Sequence, residues 1–170
     1  MKKIILRNGL FFLMGVSVIT SCGQNKENTE SNTTEETITK TDKTIKKISY
    51  RLNLSETYFD FFEIVAEYTD KDGSTVSKTL TDNLDLSLET DGKFCEANIK
   101  VIAKPKNNIP EIDKEKIYDF KKSYYINIET IPNGSKDMGD SATLPVKGSK
   151  LNEFASKEHV LVSQSYNCMQ

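Results

Sequence analysis

The sequence predicts an all-β fold, an antiparallel β-sandwich of about seven strands over residues 45–170. Apolar residues alternate with polar residues in a series of short segments, which is the pattern of strands with one buried face. Turn sequences separate these segments at intervals of roughly 8–14 residues, and strands do not alternate regularly with helices. A parallel α/β fold, which needs that alternation, is therefore not expected.

The first two strands are predicted over residues 46–54 and 58–68. A helix that begins at Ser55 is the alternative for the start of the second segment, because Tyr58 and Phe61 also fit helical spacing. Aromatic and β-branched residues favour the strand. Its expected buried face consists of Phe62, Ile64, Ala66 and Tyr68.

Two turns separate the next three strands. Residues 72–73, Asp-Gly, form a typical hairpin turn, which is followed by strands over residues 76–80 and 84–88. Residues 90–93 are the second turn, and the strand after it, residues 94–104, has the clearest alternation in the chain. Its expected buried face consists of Cys95, Ala97, Ile99, Val101 and Ala103.

The C-terminal part of the chain completes the predicted sandwich. Two prolines break a polar loop over residues 105–116, and alternation resumes over residues 118–131. Residues 133–150 are rich in glycine, serine, aspartate and lysine and are expected to form a long surface loop. Residues 150–158 fit one or two helical turns, and a last strand is predicted over residues 160–166.

Residues 1–21 have the organisation of a secretory signal peptide. Lys2, Lys3 and Arg7 form a positively charged start, and an apolar run follows over residues 9–20. The run is too short for a membrane-spanning helix, which needs about 20 apolar residues.

The end of this segment, Ile19-Thr20-Ser21-Cys22, resembles the lipobox of bacterial lipoproteins. The resemblance implies cleavage before Cys22, a diacylglyceryl thioether on its sulfur and acylation, with palmitate for example, of its new amino group. Two or three acyl chains would anchor the protein stably to a membrane. Gly23 stands where an aspartate retains lipoproteins of enteric bacteria in the inner membrane, so the outer membrane is the expected location, with the domain facing the periplasm or the cell surface. The alternative is an ordinary secretory signal with a chance cysteine.

Residues 22–44 are predicted to be the acylated cysteine and a flexible, disordered tether. The segment is dominated by threonine, asparagine, glutamate and lysine, and Ile38 is its one large apolar residue. Such a segment cannot bury enough apolar area to offset the entropy of ordering it. About 22 flexible residues have a reach of roughly 25 Å.

The charge of the chain argues against nucleic acid as a partner. Cleavage of the signal peptide would remove Lys2, Lys3 and Arg7 from the 23 basic residues and none of the 25 acidic ones, which leaves a net charge of −5. A mildly acidic chain fits neither nucleic acid nor a polybasic contact with anionic lipid. The expected partners are the membrane, through the lipid on Cys22, and a protein or carbohydrate ligand.

Cys95 and Cys168 are the two cysteines of the predicted domain. A disulfide persists in the compartments beyond the inner membrane, but spacing alone leaves open whether these residues are bridged or remain separate thiols. Together with His159, the only histidine, they provide too few soft ligands for a metal site. No cofactor is expected.

The strand pattern and the turn over residues 68–73 resemble small lipoproteins of Bacteroidota that carry Ig-like domains of no known role. The resemblance covers residues 46–130 and implies an immunoglobulin-like β-sandwich. The chain has no tryptophan, so the antibody-type family with its core tryptophan is not implied. Asp140-Ser141-Ala142 is similar to the O-glycosylation site of exported proteins in that phylum, which implies a glycan on Ser141.

No catalytic residues are predicted. Residues 70–74 do not fit an EF-hand, because setting Gly73 at position six places Tyr68 and Thr79 at the two ends, where calcium needs carboxylates. His159 is expected to be a surface residue, and no nucleophile-elbow glycines flank a serine. A small hydrolase that uses His159 is the enzymatic alternative.

Residues 58–62 form the densest aromatic cluster in the chain. Strand alternation would place Phe59 and Phe61 together on the face that points away from the core. They would then either pack beneath a loop or form an exposed patch that binds a carbohydrate or a protein.

The sequence therefore predicts a lipid-anchored, non-enzymatic envelope protein that binds or scaffolds a ligand at the membrane surface. An accessory or inhibitor subunit of a larger outer-membrane complex is the second hypothesis.

Overall fold

The computed structural model describes residues 43–169, which consist mainly of β-strands. In chain order the elements are β1 (Thr44–Leu54), α1 (Glu56–Phe61), β2 (Phe62–Thr69), β3 (Thr75–Leu80), β4 (Leu84–Glu89), β5 (Glu96–Pro105), β6 (Ile117–Ile131), β7 (Gly134–Lys147), α2 (Gly148–Ala155) and β8 (His159–Asn167). Neither helix in this part of the chain has the length and apolar character needed to cross a bilayer.

The strands form two antiparallel sheets of four strands each. The first sheet has the order β4-β1-β6-β7 and the second the order β3-β2-β5-β8. Apolar residues from both sheets form one core, as in a β-sandwich. The predicted all-β, antiparallel class is confirmed, with eight strands within residues 43–169 instead of about seven. β1 begins at Thr44, one residue before the predicted start of the domain.

The prediction of a long surface loop over residues 133–150 is wrong. Residues 134–147 form β7, which pairs with β6 over its full length. β7 is an edge strand with few buried side chains, so it lacks the apolar alternation by which a strand is recognised. Pro145 is tolerated there because one side of an edge strand needs no backbone partner.

Residues 58–61 are helical and do not form the first part of a strand. α1 follows Ser55 and places Tyr58 and Phe61, three residues apart, on the same side, where both are buried. A strand would point these two side chains to opposite faces, so the burial of both rings favours the helix. The buried face predicted for the strand that follows is confirmed, since the core includes Phe62, Ile64, Ala66 and Tyr68.

β5 has the predicted alternation of buried and exposed residues. The core includes its residues Ala97, Ile99, Val101 and Ala103. Cys95, just before the strand, is half-buried and packs against the core. Ile102 belongs to the outer face but is also buried, next to its cross-strand partners Val65 on β2 and Val160 on β8.

Phe120 of β6 is the centre of an aromatic cluster that joins both helices to both sheets. The surrounding rings, with centroid distances from Phe120, are Tyr58 (5.0 Å), Phe61 (6.2 Å), Phe62 (6.0 Å) and Phe154 (4.9 Å). Tilted and edge-on pairs of this kind add to the stabilisation that comes from buried area. Removal of such a fully buried ring typically costs about 3–5 kcal/mol.

A buried phenol also joins the two sheets. Tyr50 of β1 points into the core, and its hydroxyl oxygen lies 3.1 Å from the carbonyl oxygen of Thr69 and 3.2 Å from that of Asn98. The hydroxyl therefore donates its proton to the backbone of the opposite sheet. Burial raises the pKa of Tyr50, so this donor keeps its proton throughout the physiological range.

Candidate ligand-binding face

The centre of the outer face of the first sheet is polar, and the exposed aromatic ring on it, among residues 43–169, is that of Tyr125. Alternation in β6 points Ile126 and Ile128 into the core and Tyr125 and Asn127 outward. Neighbouring strands contribute outward residues at matching positions of the register. We call this surface the polar face; its residues include Ser49, Arg51, Asn53, Asp85, Ser123, Tyr125, Asn127, Ser135, Asp137 and Ser141.

Hydrogen bonds fix Tyr125 although the residue is 41% exposed. Its hydroxyl donates to Oδ1 of Asp137 on β7 at 2.7 Å. Nδ2 of Asn127 donates to the same oxygen at 2.8 Å and to Oγ of Ser135 at 3.0 Å. Asn127 and Asp137 are direct cross-strand partners, so the register of β6 and β7 builds this network.

Gly139 lies opposite Tyr125 in the register of β6 and β7. A Cβ atom at this position would lie 2.8 Å from the carbonyl oxygen of Tyr124, too close for a side chain without movement of the backbone. The same atom would lie 3.7 Å from Cδ2 of Tyr125. Glycine therefore permits the close approach of the strands and adds no side chain beside the tyrosine ring.

The network also sets the charges of the site. Hydrogen bonds from Asn127 and Tyr125 hold the pKa of Asp137 below its ordinary value, and the bond to Asp137 raises the pKa of Tyr125. At neutral pH the site thus contains a carboxylate and a neutral phenol. Arg51 lies on the other side of Tyr125 and forms an exposed ion pair with Asp85, with 3.5 Å between Nε and Oδ1. Such a pair contributes less than about 1 kcal/mol.

A shallow depression with a volume of about 420 Å³ lies beside this network. Its polar lining residues are Asn53, Ser55, Lys121, Ser123, Ser141 and Thr143. Ser123 and Ser141 are cross-strand partners one outward position along from Tyr125 and Gly139, so the depression and the ring are adjacent. Ser141 is exposed there, and its glycosylation stays a prediction.

Of the two alternatives for Phe59 and Phe61, the exposed patch that would bind a ligand is not formed. Phe61 is 1% exposed and meets Tyr118 edge-on, with ring centroids 5.6 Å apart. Phe59 is half-buried against the core. The helical geometry of α1 is the reason, because it does not send alternate residues to opposite faces. Within residues 43–169 the large exposed aromatic side chain is that of Tyr125.

Cys95 and Cys168 are joined by a disulfide, and their Cα atoms are 5.4 Å apart, a separation typical of such bridges. Cys95 precedes β5 and Cys168 follows β8, so the antiparallel pairing of these strands brings the two residues together. Cys22 and the predicted signal peptide lie outside the described residues, as does the predicted tether except for its last two residues.

His159 is half-buried, contrary to the prediction of a surface residue. Its ring stacks on Phe154 with a centroid distance of 4.2 Å and meets Phe62 edge-on at 5.4 Å. Nε2 lies 2.9 Å from the carbonyl oxygen of Phe154. The side chain is therefore part of the aromatic packing at the end of α2. In the part of the chain that is described, no group of three or more His, Cys, Asp or Glu side chains is placed to hold a metal ion.

Sequence patterns place Tyr125 and Asn127 on one face of a strand but assign Asp137 and Gly139 to a loop. The missed signal is Asn133-Gly134, directly after the long strand. An Asn-Gly turn after a strand predicts a hairpin, and hence an antiparallel partner.

Comparison of the chain with protein-family models, curated proteins and solved structures gives no match in any of the three. The candidate site therefore rests on its own geometry and chemistry.

The lowered pKa of Asp137 is testable. Asn127→Ala removes the larger contribution and should raise this pKa towards its ordinary value, and Tyr125→Phe should raise it by less. In the unaltered protein the network should persist as the pH falls through the ordinary aspartate range and open only below it. An NMR titration of the carboxyl carbon would measure the change.

Asp72, whose pKa is lowered by Ser74 in the turn between β2 and β3, is the internal reference for that titration. Its pKa should be the same in all three proteins. An unchanged pKa of Asp137 in both variants would show that the network does not form in solution.

Proposed function

We propose that the protein is a non-enzymatic binding module anchored to the bacterial outer membrane, and that its ligand contacts the polar face. The observation that carries the proposal is the exposed ring of Tyr125, held in one orientation by a cross-strand hydrogen bond to Asp137. A side chain that is already fixed loses little conformational entropy when a ligand binds. Groups placed on strands are also held more precisely than groups on loops.

The N-terminal sequence supports the membrane location. Residues 19–22 resemble a lipobox, and a lipid on Cys22 followed by a tether of about 22 residues would carry the sandwich. A tethered domain searches only the volume near its anchor, where its effective concentration is high. The ligand we propose is accordingly a component of the cell envelope.

The charge states of the polar face favour binding over catalysis. General acid–base catalysis works best when the pKa of the group lies near the operating pH. The pKa of Asp137 is lowered and that of Tyr125 is raised, so both values move away from neutrality. These groups are suited to hold a ligand through fixed hydrogen bonds rather than to exchange protons with it.

The strand order supports an immunoglobulin-like variant of the sandwich. In that fold one sheet has the order C′-C-F-G, and strands B and E adjoin in the other. The order β3-β2-β5-β8 corresponds to the first, and the pair β1 and β4 corresponds to B and E. β6 lies beside β1, where strand A lies beside strand B in that fold, and β7 lies beside β6. In the sequence, however, β6 and β7 stand between the counterparts of F and G.

An accessory subunit of an outer-membrane complex is the second candidate, and the edge of β7 favours it. β7 is 14 residues long and is the last strand of the first sheet. A partner protein could add a strand to such an edge. It would then contact the rim of the sheet along β7 and not the centre of the polar face.

A photo-reactive amino acid placed at Ser49 tests the proposal in living cells. Ser49 lies on the polar face, and the matched variant carries the same group at Lys100, on the outer face of the second sheet. We expect adducts from Ser49 and only background from Lys100. Adducts in equal amounts from both positions, adducts from Lys100 alone, or none at all would contradict a ligand on the polar face.

Cys22→Ser should abolish the lipid anchor. We expect the unaltered chain to incorporate labelled fatty acid and to sediment with outer membranes, and the variant to do neither. The control is a Cys95→Ser, Cys168→Ser double variant, which lacks the disulfide and should still be labelled. Labelling of the Cys22→Ser chain at the level of the unaltered chain would exclude Cys22 as the acylated residue.

A further inference from the structure

We propose that the ligand of the polar face is an uncharged glycan chain, one of whose sugar rings stacks on Tyr125. This inference rests on the proposed function and names the chemical class of the ligand. It follows from three features of the face: an open, fixed aromatic ring, a surround of polar groups with unused bonding capacity, and a charge pattern that disfavours other ligands.

The first feature is the accessibility of the Tyr125 ring. A pyranose ring presents C–H bonds on one face and hydroxyl groups around its rim, so it pairs an aromatic surface with nearby hydrogen-bonding groups. Tyr125 is 41% exposed, and Gly139, opposite it in the register, adds no side chain beside the ring. The bond to Asp137 holds the ring in place before the ligand arrives.

The second feature is the bonding capacity around the ring. Within residues 43–169, both side-chain hydrogen bonds that Asp137 accepts end on Oδ1, so Oδ2 can accept from a sugar hydroxyl. Both bonds of the Asn127 side chain use Nδ2, so its carbonyl oxygen can accept another. The ion pair of Arg51 involves Nε, which leaves its terminal nitrogens to donate.

The third feature is the charge and polarity of the surface. A bound anion would meet the Asp137 carboxylate at the centre of the face, and Arg51 is already paired with Asp85. The core of a protein–protein interface is typically apolar and depleted of charged residues, whereas Tyr125 is surrounded by amide, hydroxyl and charged side chains. A neutral molecule rich in hydroxyl groups satisfies both conditions.

The length of the polar face favours a chain of sugars over a single one. The depression begins two residues from Tyr125 along β6, which is about 7 Å at the rise of a β-strand. The serine, threonine and asparagine side chains in its lining, together with Lys121, continue the same hydrogen-bonding chemistry. Linked sugars that extend from the tyrosine ring would reach it.

Titration calorimetry on the full chain in detergent tests the inference. The probes are short, neutral oligosaccharides of glucose, mannose and N-acetylglucosamine. We expect at least one to bind, Tyr125→Ala to weaken that affinity about tenfold or more, and Tyr125→Phe, which keeps the ring, to retain it within about threefold. Leu144→Ala is the matched control, because Leu144 is 47% exposed on β7 of the same sheet but does not belong to the polar face.

The outcomes separate this inference from the function on which it rests. Thermal unfolding of each variant checks that it is folded. If Tyr125→Ala and Leu144→Ala then bind a sugar equally well, the assignment of a sugar ring stacked on Tyr125 is wrong. If no probe binds while the photo-reactive group at Ser49 captures a protein, the glycan inference falls and the binding function stands. If no probe binds and Ser49 gives no adduct, both are overturned.

Discussion

Strand β6 pairs with β1 on one side and with β7 on the other, and the two faces of the first sheet depend on that double pairing. Its inward residues, Phe120, Ile126 and Ile128, belong to the core, whereas Tyr125 and Asn127 belong to the polar face. Because side chains alternate with a period of two, a shift of one residue in register would exchange these sets. The burial of the inward set therefore holds the outward set in position.

The rigidity of the candidate site follows from the same arrangement. Near one end of β6, Phe120 packs against aromatic rings of both helices. On the neighbouring strand β1, Tyr50 donates a hydrogen bond to the backbone of the opposite sheet. Tyr125 thus lies on a strand whose inward side chains pack in the core and which pairs with β1 on one side and β7 on the other. A ring held in this way needs only a hydrogen bond to Asp137 to fix its hydroxyl end.

The strands with one fully buried face were predictable from sequence, and the departures have physical causes. β1 and β5 bury one face against the core, so most of their residues alternate between buried and exposed with a period of two. β7 has a partner on one side and few buried residues, so its sequence lacks the alternation of apolar and polar residues. The positions of Asp137 and Gly139 on a strand could therefore not be predicted from that pattern. At residues 58–61 the packing of Tyr58 and Phe61 on one side outweighs their strand propensity. His159 is half-buried because its ring stacks on Phe154 of α2, a contact that no local pattern encodes.

Hydroxyl-radical footprinting of Tyr125 tests most directly whether the polar face is a binding surface in the cell. The modification rate of Tyr125 would be measured in intact envelopes and again in the purified full chain, with the exposed Met169 as the reference. Occupation of the polar face predicts that Tyr125 is protected several-fold in envelopes and regains its reactivity on purification, while Met169 changes little. Equal modification of Tyr125 in the two samples would contradict the account.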